Sequence, residues 1–183
     1  MDARNDTESE TLKDGTVVTV RAIRPGDAGD ILQAFRGLDR ESVYRRFFSP
    51  KKDLSPDELE QLTDVDFNRV MALVVTKATE SGEALIGGGR YATDDSASGA
   101  AEIAFMTGGN HRGLGIASLV LKHLVLIAQD AGLSRFDGEV LAENQPMLAV
   151  FRRSGLPLNI VRDRGTLHVT LSLGGRKEQR HGT

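Results

Sequence analysis

A long amphipathic segment over residues 114–131 is the feature that most restricts how this chain can fold. Its apolar side chains recur mostly at steps of three and four residues, the period of one helix face: Ile116, Leu119, Val120, Leu124, Ile127 and Ala131. Runs rich in apolar and β-branched residues precede and follow it, over residues 100–107 and 136–141. A helix between two strands predicts a sheet against which this helix packs.

The same two patterns extend along most of the chain and predict its element order. Strands are predicted over residues 16–24, 70–76, 84–91, 100–107, 136–141, 158–161 and 166–173. Helices are predicted to begin after the capping residues Asp27 and Ser55, and to cover residues 40–48, 114–131 and 144–155. The order β-α-α-α-β-β-β-α-β-α-β-β predicts an α/β fold with one mixed sheet and helices on both faces.

The length of 183 residues fits a single compact domain. We expect that domain to cover residues 15–173. Residues 1–14 and 174–183 are polar and show no periodicity, which predicts flexible ends. Hydrophobic residues make up 39% and charged residues 27% of the chain, which favours a folded soluble protein over a disordered one.

Composition argues against several kinds of site. There is no cysteine, so disulfides, thiolate zinc sites and a cysteine nucleophile are excluded. The four histidines share no short ligand spacing, and no metal site is expected. A net charge of -3 and an aromatic content of 5% argue against nucleic-acid binding. The chain starts without an export signal, and no apolar run approaches the roughly 20 residues that span a bilayer. We therefore expect a cytoplasmic protein that does not bind membranes.

A glycine loop before the long helix gives the first indication of chemistry. Gly113 and Gly115 lie between a predicted strand and the start of the predicted helix. Unpaired backbone N–H groups and a partial positive charge mark the start of a helix, and glycine lets a phosphate approach those groups closely. Residues 108–128 contain no Asp or Glu, and Arg112 adds a positive charge. The loop therefore suits an anion such as a diphosphate.

Other interpretations of the loop differ in how well they fit. An ordinary tight turn stays open, because two glycines alone are a weak signal. A P-loop is excluded because the chain has no Gly-Lys-Ser/Thr tripeptide. A dinucleotide-binding loop would follow its strand directly and would have glycine or alanine where this chain has Ser118. A kinase-type loop lacks its downstream partner motifs.

The loop and the segment after it resemble the GNAT N-acetyltransferases. Arg112-x-x-Gly115-x-Ala117 is similar to the coenzyme A diphosphate loop of that superfamily, usually written Arg/Gln-x-x-Gly-x-Gly/Ala. Residues 144–156 resemble its Asn–helix–Gly-Phe segment, with Leu156 in place of the usual phenylalanine. The resemblance implies the GNAT fold, and acetyl-CoA as the cosubstrate.

A narrower resemblance points to the bacterial protein lysine acetyltransferases. It rests on residues 24–27, 40–48, 65–67 and 101–105. This resemblance implies transfer of an acetyl group to an amine, with a protein lysine as the favoured acceptor. Two alternatives stay open: acetylation of a small-molecule amine, and a non-catalytic module that senses acyl-CoA. The protein could be a monomer or a homodimer.

Transfer to an amine requires a base, and Glu102 is the candidate. An amine is mostly protonated at neutral pH, and a carboxylate beside an apolar wall can take its proton. Glu102 is the only charged residue in its predicted strand. From the residues alone, exposure to solvent or a pair with Arg90 is the simpler explanation. The lysine acetyltransferase resemblance implies the role of general base; Glu139 and Glu143 are weaker candidates.

The resemblance also implies which residues contact acetyl-CoA. A backbone N–H within residues 103–107 would polarise the thioester, and Asn144 would bridge to the pantetheine arm while capping its own helix. Related enzymes often have a tyrosine where this chain has Phe151, so no general acid is assigned. The expected cofactor-binding set is Phe105, Met106, Thr107, Arg112, Gly113, Leu114, Gly115, Ile116, Ala117, Ser118, Asn144 and Phe151.

Overall fold

The computed structural model describes residues 7–94 and 98–174, which form eight strands and five α-helices. The strands are β1 (Thr7–Thr11), β2 (Val17–Ala22), β3 (Val70–Thr79), β4 (Gly82–Ala92), β5 (Ala100–Thr107), β6 (Arg135–Leu141), β7 (Leu158–Asp163) and β8 (Thr166–Ser172). The helices are α1 (Ala28–Arg36), α2 (Arg40–Phe47), α3 (Pro56–Thr63), α4 (Ile116–Asp130) and α5 (Gln145–Arg153). Within these residues, no helix combines the length and the apolar character needed to cross a bilayer.

The eight strands form one mixed sheet in the order β1-β2-β3-β4-β5-β6-β8-β7. Neighbouring strands are antiparallel except for β5 and β6, which are parallel. All twelve elements predicted from the sequence are present in the predicted order. The predicted α/β class with a single mixed sheet is therefore confirmed.

Two apolar cores lie on opposite faces of this sheet. Successive side chains of a strand point to opposite faces, and β3 contributes to both cores. Met71, Leu73 and Val75 belong to the core that contains α4, whereas Ala72 and Val74 belong to the core built with α1, α2 and α3. Apolar residues of α5 join the α4 core. Helices therefore cover both faces, as predicted.

Three consecutive glycines in β4 let neighbouring elements approach closely. A Cβ on Gly87 would lie 2.7 Å from Ile116 Cγ2, and one on Gly89 would lie 2.8 Å from Val120 Cγ1. A Cβ on Gly88 would lie 2.5 Å from a carbonyl oxygen of β3. Both Ile116 and Val120 belong to α4, so the glycines allow the first turns of that helix to lie directly against the sheet.

The N-terminal boundary of the domain differs from the prediction. Residues 1–14 were expected to be flexible, but Thr7–Thr11 form β1, paired with β2, and Leu12 is buried. An edge strand whose side chains are nearly all exposed shows no alternation of apolar residues, so the pattern could not reveal it. Residues 1–6 and 175–183 lie outside the described residues, and the flexibility expected there stays a prediction.

Side chains of α4 hold β1 in place. The Glu10 carboxylate lies 2.9 Å from Nε2 of the buried His123 and accepts a hydrogen bond from Lys122 Nζ at 3.2 Å. Glu8, on the same side of β1, lies 3.9 Å from His123 Nδ1. The hydrogen bonds from Lys122 and His123 keep the pKa of Glu10 below its usual value. His123 is thus a packed residue that anchors the edge strand.

Asp27 occupies the N-cap position of α1, as predicted, but its side chain caps no amide of that helix. Its carboxylate accepts hydrogen bonds from Arg21 at 2.8 and 2.9 Å and from the Arg24 N–H at 2.8 Å. The side chains of Arg21 and Asp27 are both only 7% exposed. Asp27 therefore closes the turn at the end of β2 through a buried ion pair, which fixes where α1 begins.

Candidate active site

A gap opens in the middle of the sheet where β5 and β6 diverge. The two strands pair from Ala100–Arg135 to Glu102–Asp137 and no further, whereas β5 stays paired with β4 as far as Thr107. In an antiparallel ladder, alternate N–H groups of a strand point away from its partner. The outward N–H groups of residues 103–107 therefore face the gap, where no described strand pairs with them. This is the strand whose N–H groups, according to the GNAT resemblance, would polarise the thioester.

The glycine loop crosses the end of this gap. After β5 the chain forms a short 3-10 turn, Gly109–His111, and reaches α4 through Gly113 and Gly115 with φ angles of 76° and 92°. Both angles lie in the left-handed region, which glycine adopts without the strain that other residues suffer. Gly115 is the N-cap of α4 and has no side chain to bond the first-turn amides. Those amides stay open to a ligand, as the anion hypothesis requires.

A cavity of about 530 Å³ joins the loop to the gap, a size typical of small-molecule sites. Of the residues predicted to form the site, all except Leu114 line it: Glu102, Phe105, Met106, Thr107, Arg112, Gly113, Gly115, Ile116, Ala117, Ser118, Asn144 and Phe151. Leu114 packs against the α4 core instead. The structure therefore brings the base candidate, the strand, the loop and α5 together around one cavity.

Arg112 is oriented differently from the expectation that its charge faces a diphosphate. Its guanidinium bonds to the Asp39 carboxylate and to the Ser42 hydroxyl at the start of α2. Asp39 is also the N-cap of α2 and accepts a hydrogen bond from the Ser42 N–H at 2.8 Å. That N–H and the Arg112 guanidinium hold the pKa of Asp39 below its usual value. Arg112 thus ties the glycine loop to α2.

Lys13 is a lining residue that sequence reasoning missed. Its N–H donates to the Leu114 carbonyl at 3.3 Å, and its side chain lies along Gly115, where an added Cβ would be 3.3 Å from Lys13 Cε. His111 lines the cavity nearby, and partial burial together with the charge of Lys77 lowers the pKa of its imidazole. No sequence pattern predicted Lys13 at this site, because the strand before it is polar and could not be recognised from its residues.

Two residues of α5 complete the wall opposite the loop. Asn144 is the N-cap of α5, and its Oδ1 accepts a hydrogen bond from the Met147 N–H at 3.4 Å. Its amide nitrogen forms no bond within the described residues, so capping leaves a donor for a ligand. The Phe151 ring packs edge-on against Phe105 with the centroids 6.1 Å apart. Phe151 therefore gives the cavity an apolar wall and no proton donor.

The structure describes both tyrosines of the chain, and neither of them lines the cavity. Tyr91 is buried against Phe136, and burial raises the pKa of its phenol to about 12. Tyr44 is exposed on α2. A tyrosine acting as general acid has no counterpart at this site.

Glu102 is exposed on the face of β5 that looks toward α2, while Ile103 and Phe105 point into the α4 core. The neighbours of the carboxylate are charged, in contrast to the apolar wall expected from sequence. Burial lowers the pKa of Arg46 and of Arg90, and the negative charge of Glu102 acts in the opposite direction on both. Glu102 itself forms no hydrogen bond or ion pair within the described residues. Its oxygens are therefore free to meet an incoming group.

Comparison with known proteins decides the family. Residues 18–157 match the family model described as Acetyltransferase (GNAT) domain, and this range includes the sheet gap, the glycine loop and α5. The chain belongs to the GNAT acetyltransferase family. The resemblance to the GNAT superfamily that the loop and α5 indicated is thereby confirmed.

Several relatives have been named as acetyltransferases. Acetyltransferase Pat from Mycolicibacterium smegmatis is 29% identical over 144 residues, covering 79% of this chain and 42% of that protein. This GNAT chain therefore spans less than half the length of that relative. Acetyltransferase PA5475 from Pseudomonas aeruginosa is 29% identical over 138 residues, covering 75% of this chain and 74% of its own. The crystal structure of the GNAT domain of S. lividans PAT superposes with a TM-score of 0.81 at 29% identity, covering 91% and 96% of the two chains.

Proposed function

We propose that this GNAT domain transfers the acetyl group of acetyl-CoA to an amine, with a protein lysine as the favoured acceptor and Glu102 as the general base. The proposal rests on one observation. A single cavity runs from the open amides at the start of α4, along the unpaired edge of β5, to the Glu102 carboxylate. The segments that resemble bacterial protein lysine acetyltransferases support lysine as the acceptor.

Binding at the loop follows from the backbone. The amides of Ile116 and Ala117 at the helix start would receive the diphosphate, because aligned peptide dipoles and unpaired N–H groups favour an anion there. The Lys13 ammonium and the His111 imidazole line the same end of the cavity. Along β5, outward N–H groups would hold the pantetheine amides and polarise the thioester carbonyl. Acetyl-CoA supplies the thioester that reacts with the amine.

The chemistry at the other end needs one proton acceptor. Glu102 takes the proton that the acceptor ammonium must lose, directly or through a water molecule. The nitrogen then bonds to the acetyl carbon as the carbon–sulfur bond breaks, which releases coenzyme A as a thiolate. A thiolate whose thiol has a pKa of about 8.5 is a good leaving group. Phe151 has no proton to donate, so the second proton of the nitrogen, which is lost as the amide forms, passes through water to the thiolate.

Replacing Glu102 with glutamine tests the base. The side chain is exposed and makes no hydrogen bond or ion pair that glutamine would break, so the fold and the affinity for coenzyme A should be retained. Loss of a general base should lower the transfer rate at neutral pH by about 10²–10⁴-fold. The difference should shrink as the pH approaches the pKa of a lysine amine, about 10.4, because the free amine then needs no base. Thiol release measured from pH 6 to 10 gives the profile.

The matched control is Glu139→Gln, because Glu139 lines the same cavity from β6 and was the weaker sequence candidate. It should keep nearly full turnover. Full activity in Glu102→Gln would remove Glu102 from the mechanism, and a large loss in Glu139→Gln would transfer the role to that residue. Binding of acetyl-CoA without thiol release, with every amine offered, would support the sensor alternative, which the absence of a hydroxyl at Phe151 favours.

A further inference from the structure

Glu102 lies beside more positive charge than one glutamate balances: Arg46 lines the same cavity, and Arg90 lines an adjoining pocket that Arg46 also lines. The register of β4 and β5 places Arg90 opposite Ala104, and Ala92 opposite Glu102. Because alternate residues of a strand share a face, Arg90 and Glu102 project from the same side of the sheet, toward α2. Arg46, in the last turn of α2, projects into this space and lines the cavity. Glu102 is thus accompanied by two guanidinium groups.

These arginines lack protein partners. Within the described residues, neither Arg46 nor Arg90 forms a hydrogen bond or an ion pair; Arg46 contacts the Phe47 ring, 5.0 Å from its centroid. Both are partly buried, and that burial lowers the pKa of each, as expected for cations withdrawn from water. Arg45 bonds to Glu41, but its Nε is buried without a partner. A buried donor without an acceptor is costly, and Arg45 Nε is such a donor. The guanidinium groups of Arg46 and Arg90 keep contact with solvent, so their donors are available to a ligand.

The diphosphate of acetyl-CoA is too far away to be that ligand. From Glu102 to Thr107 the strand covers about 17 Å at roughly 3.4 Å per residue, and the glycine loop lies beyond Thr107. The loop end also has its own cations, Lys13 and Arg112. The two groups of positive charge therefore serve different parts of the reaction, and the group beside Glu102 faces the acceptor.

We infer that the acceptor carries an anionic group, such as a carboxylate, close to the amine that is acetylated. Resting on the proposed function, this inference names the acceptor class that the same site selects. A carboxylate would bond Arg46 and Arg90 in the geometry that guanidinium groups favour. It would also offset the repulsion that two arginines exert on an incoming ammonium. The same repulsion favours the neutral amine, which is the form that reacts.

Two sources of such an amine share this chemistry: a lysine flanked by aspartate or glutamate, and a free amino acid. Two lysine peptides of identical composition would be compared, one with two aspartates next to the lysine and one with them six residues away. Glycine and glycinamide form the small-molecule pair. Thiol release from acetyl-CoA gives kcat/KM for each substrate.

In the pair that represents the true source, we expect kcat/KM to be at least tenfold higher for the substrate with the carboxylate close to the amine. In Arg46→Gln and in Arg90→Gln this ratio should fall below threefold. Arg162→Gln, an exposed residue of β7 that removes the same charge away from the cavity, should keep the preference. Because the peptide and amino-acid pairs are measured on the unmodified protein first, the test does not depend on either arginine variant folding.

The possible failures are distinguishable. Turnover that is equal within both pairs would overturn this inference and leave the proposed acetyl transfer intact. No thiol release with any amine, despite binding of acetyl-CoA, would instead contradict the proposed function. A preference that survives in both arginine variants would show that other groups select the acceptor, and the assignment to Arg46 and Arg90 would be wrong.

Discussion

Replacing Gly115 with alanine tests whether the left-handed start of α4 forms the diphosphate site. At a φ of 92° the added Cβ crowds the backbone, and a left-handed conformation costs a residue with a side chain about 1–2 kcal/mol. The methyl group would lie 3.3 Å from Lys13 Cε, the flexible part of a side chain that can move aside. At about 2–4 °C per kcal/mol for a chain of this size, the melting temperature should fall by about 2–8 °C.

The same strain should weaken ligand binding. If residue 115 relaxes toward a negative φ, the N–H groups of Ile116 and Ala117 turn away from the place where the diphosphate is expected. Strain of this size corresponds to a rise of about tenfold in the dissociation constant of coenzyme A, since about 1.4 kcal/mol is one factor of ten. Calorimetry with coenzyme A and a thermal melt of the same protein sample measure both effects.

Two further glycine variants act as controls. Gly165, between β7 and β8, lies outside the left-handed region and would have no atom within 4 Å of an added Cβ, so Gly165→Ala should change neither quantity. Gly113 has a φ of 76° and equally open surroundings, so Gly113→Ala isolates backbone strain from contact with Lys13. A Gly115→Ala protein that matches Gly165→Ala in melting temperature and in affinity would refute the reasoning.

Two other substitutions test single charges. Lys13→Met should weaken coenzyme A binding roughly two- to fivefold in low salt and less in high salt, as expected for an exposed cation near a phosphate. Calorimetry measures this affinity, and Lys52→Met, which removes another exposed cation, should leave it unchanged. Burial acts to raise the pKa of Asp27, but hydrogen bonds from Arg21 and Arg24 outweigh it and leave that pKa below its usual value. The ion pair therefore stabilises the fold above about pH 4, and this stability is lost as the pH falls through the lowered pKa. Asp27→Asn should lower the free energy of unfolding, measured in urea at pH 7, by about 3–5 kcal/mol. The difference in this free energy between the variant and the unmodified protein should become smaller below pH 4. A difference that does not change with pH would contradict a stabilising ion pair between Asp27 and Arg21.

Features set by neighbouring residues in the chain could be predicted from the sequence. The predicted cap at Ser55 is one example: its hydroxyl accepts a hydrogen bond from the Glu58 N–H at 3.2 Å, and the Glu58 carboxylate accepts one from the Ser55 N–H at 2.8 Å. The start of α4 is another, because a left-handed N-cap favours glycine. Most of the site was found in this way, because the loop and α5 each carry a local signature.

Features that depend on contacts between distant segments could not be predicted. β1 is held by pairing with β2 and by His123, and neither interaction leaves a pattern in the strand itself. The bond between Arg112 and Asp39 joins residues far apart in sequence, so the neighbours of Arg112 in the chain could not predict it. The arginines beside Glu102 come from α2 and β4, and only the sheet register brings them to the same carboxylate.

The position of α2 explains why the two halves of the site are not independent. Its first turn bonds Arg112 of the glycine loop, and its last turn presents Arg46 beside Glu102. At about 1.5 Å per residue, the eight residues of α2 cover about 12 Å, most of the distance between the diphosphate end and the acceptor end. A diphosphate that draws Arg112 away from Asp39 removes a bond from the N-terminus of this helix. The helix that carries the arginines beside Glu102 therefore also contacts the loop that holds the cosubstrate.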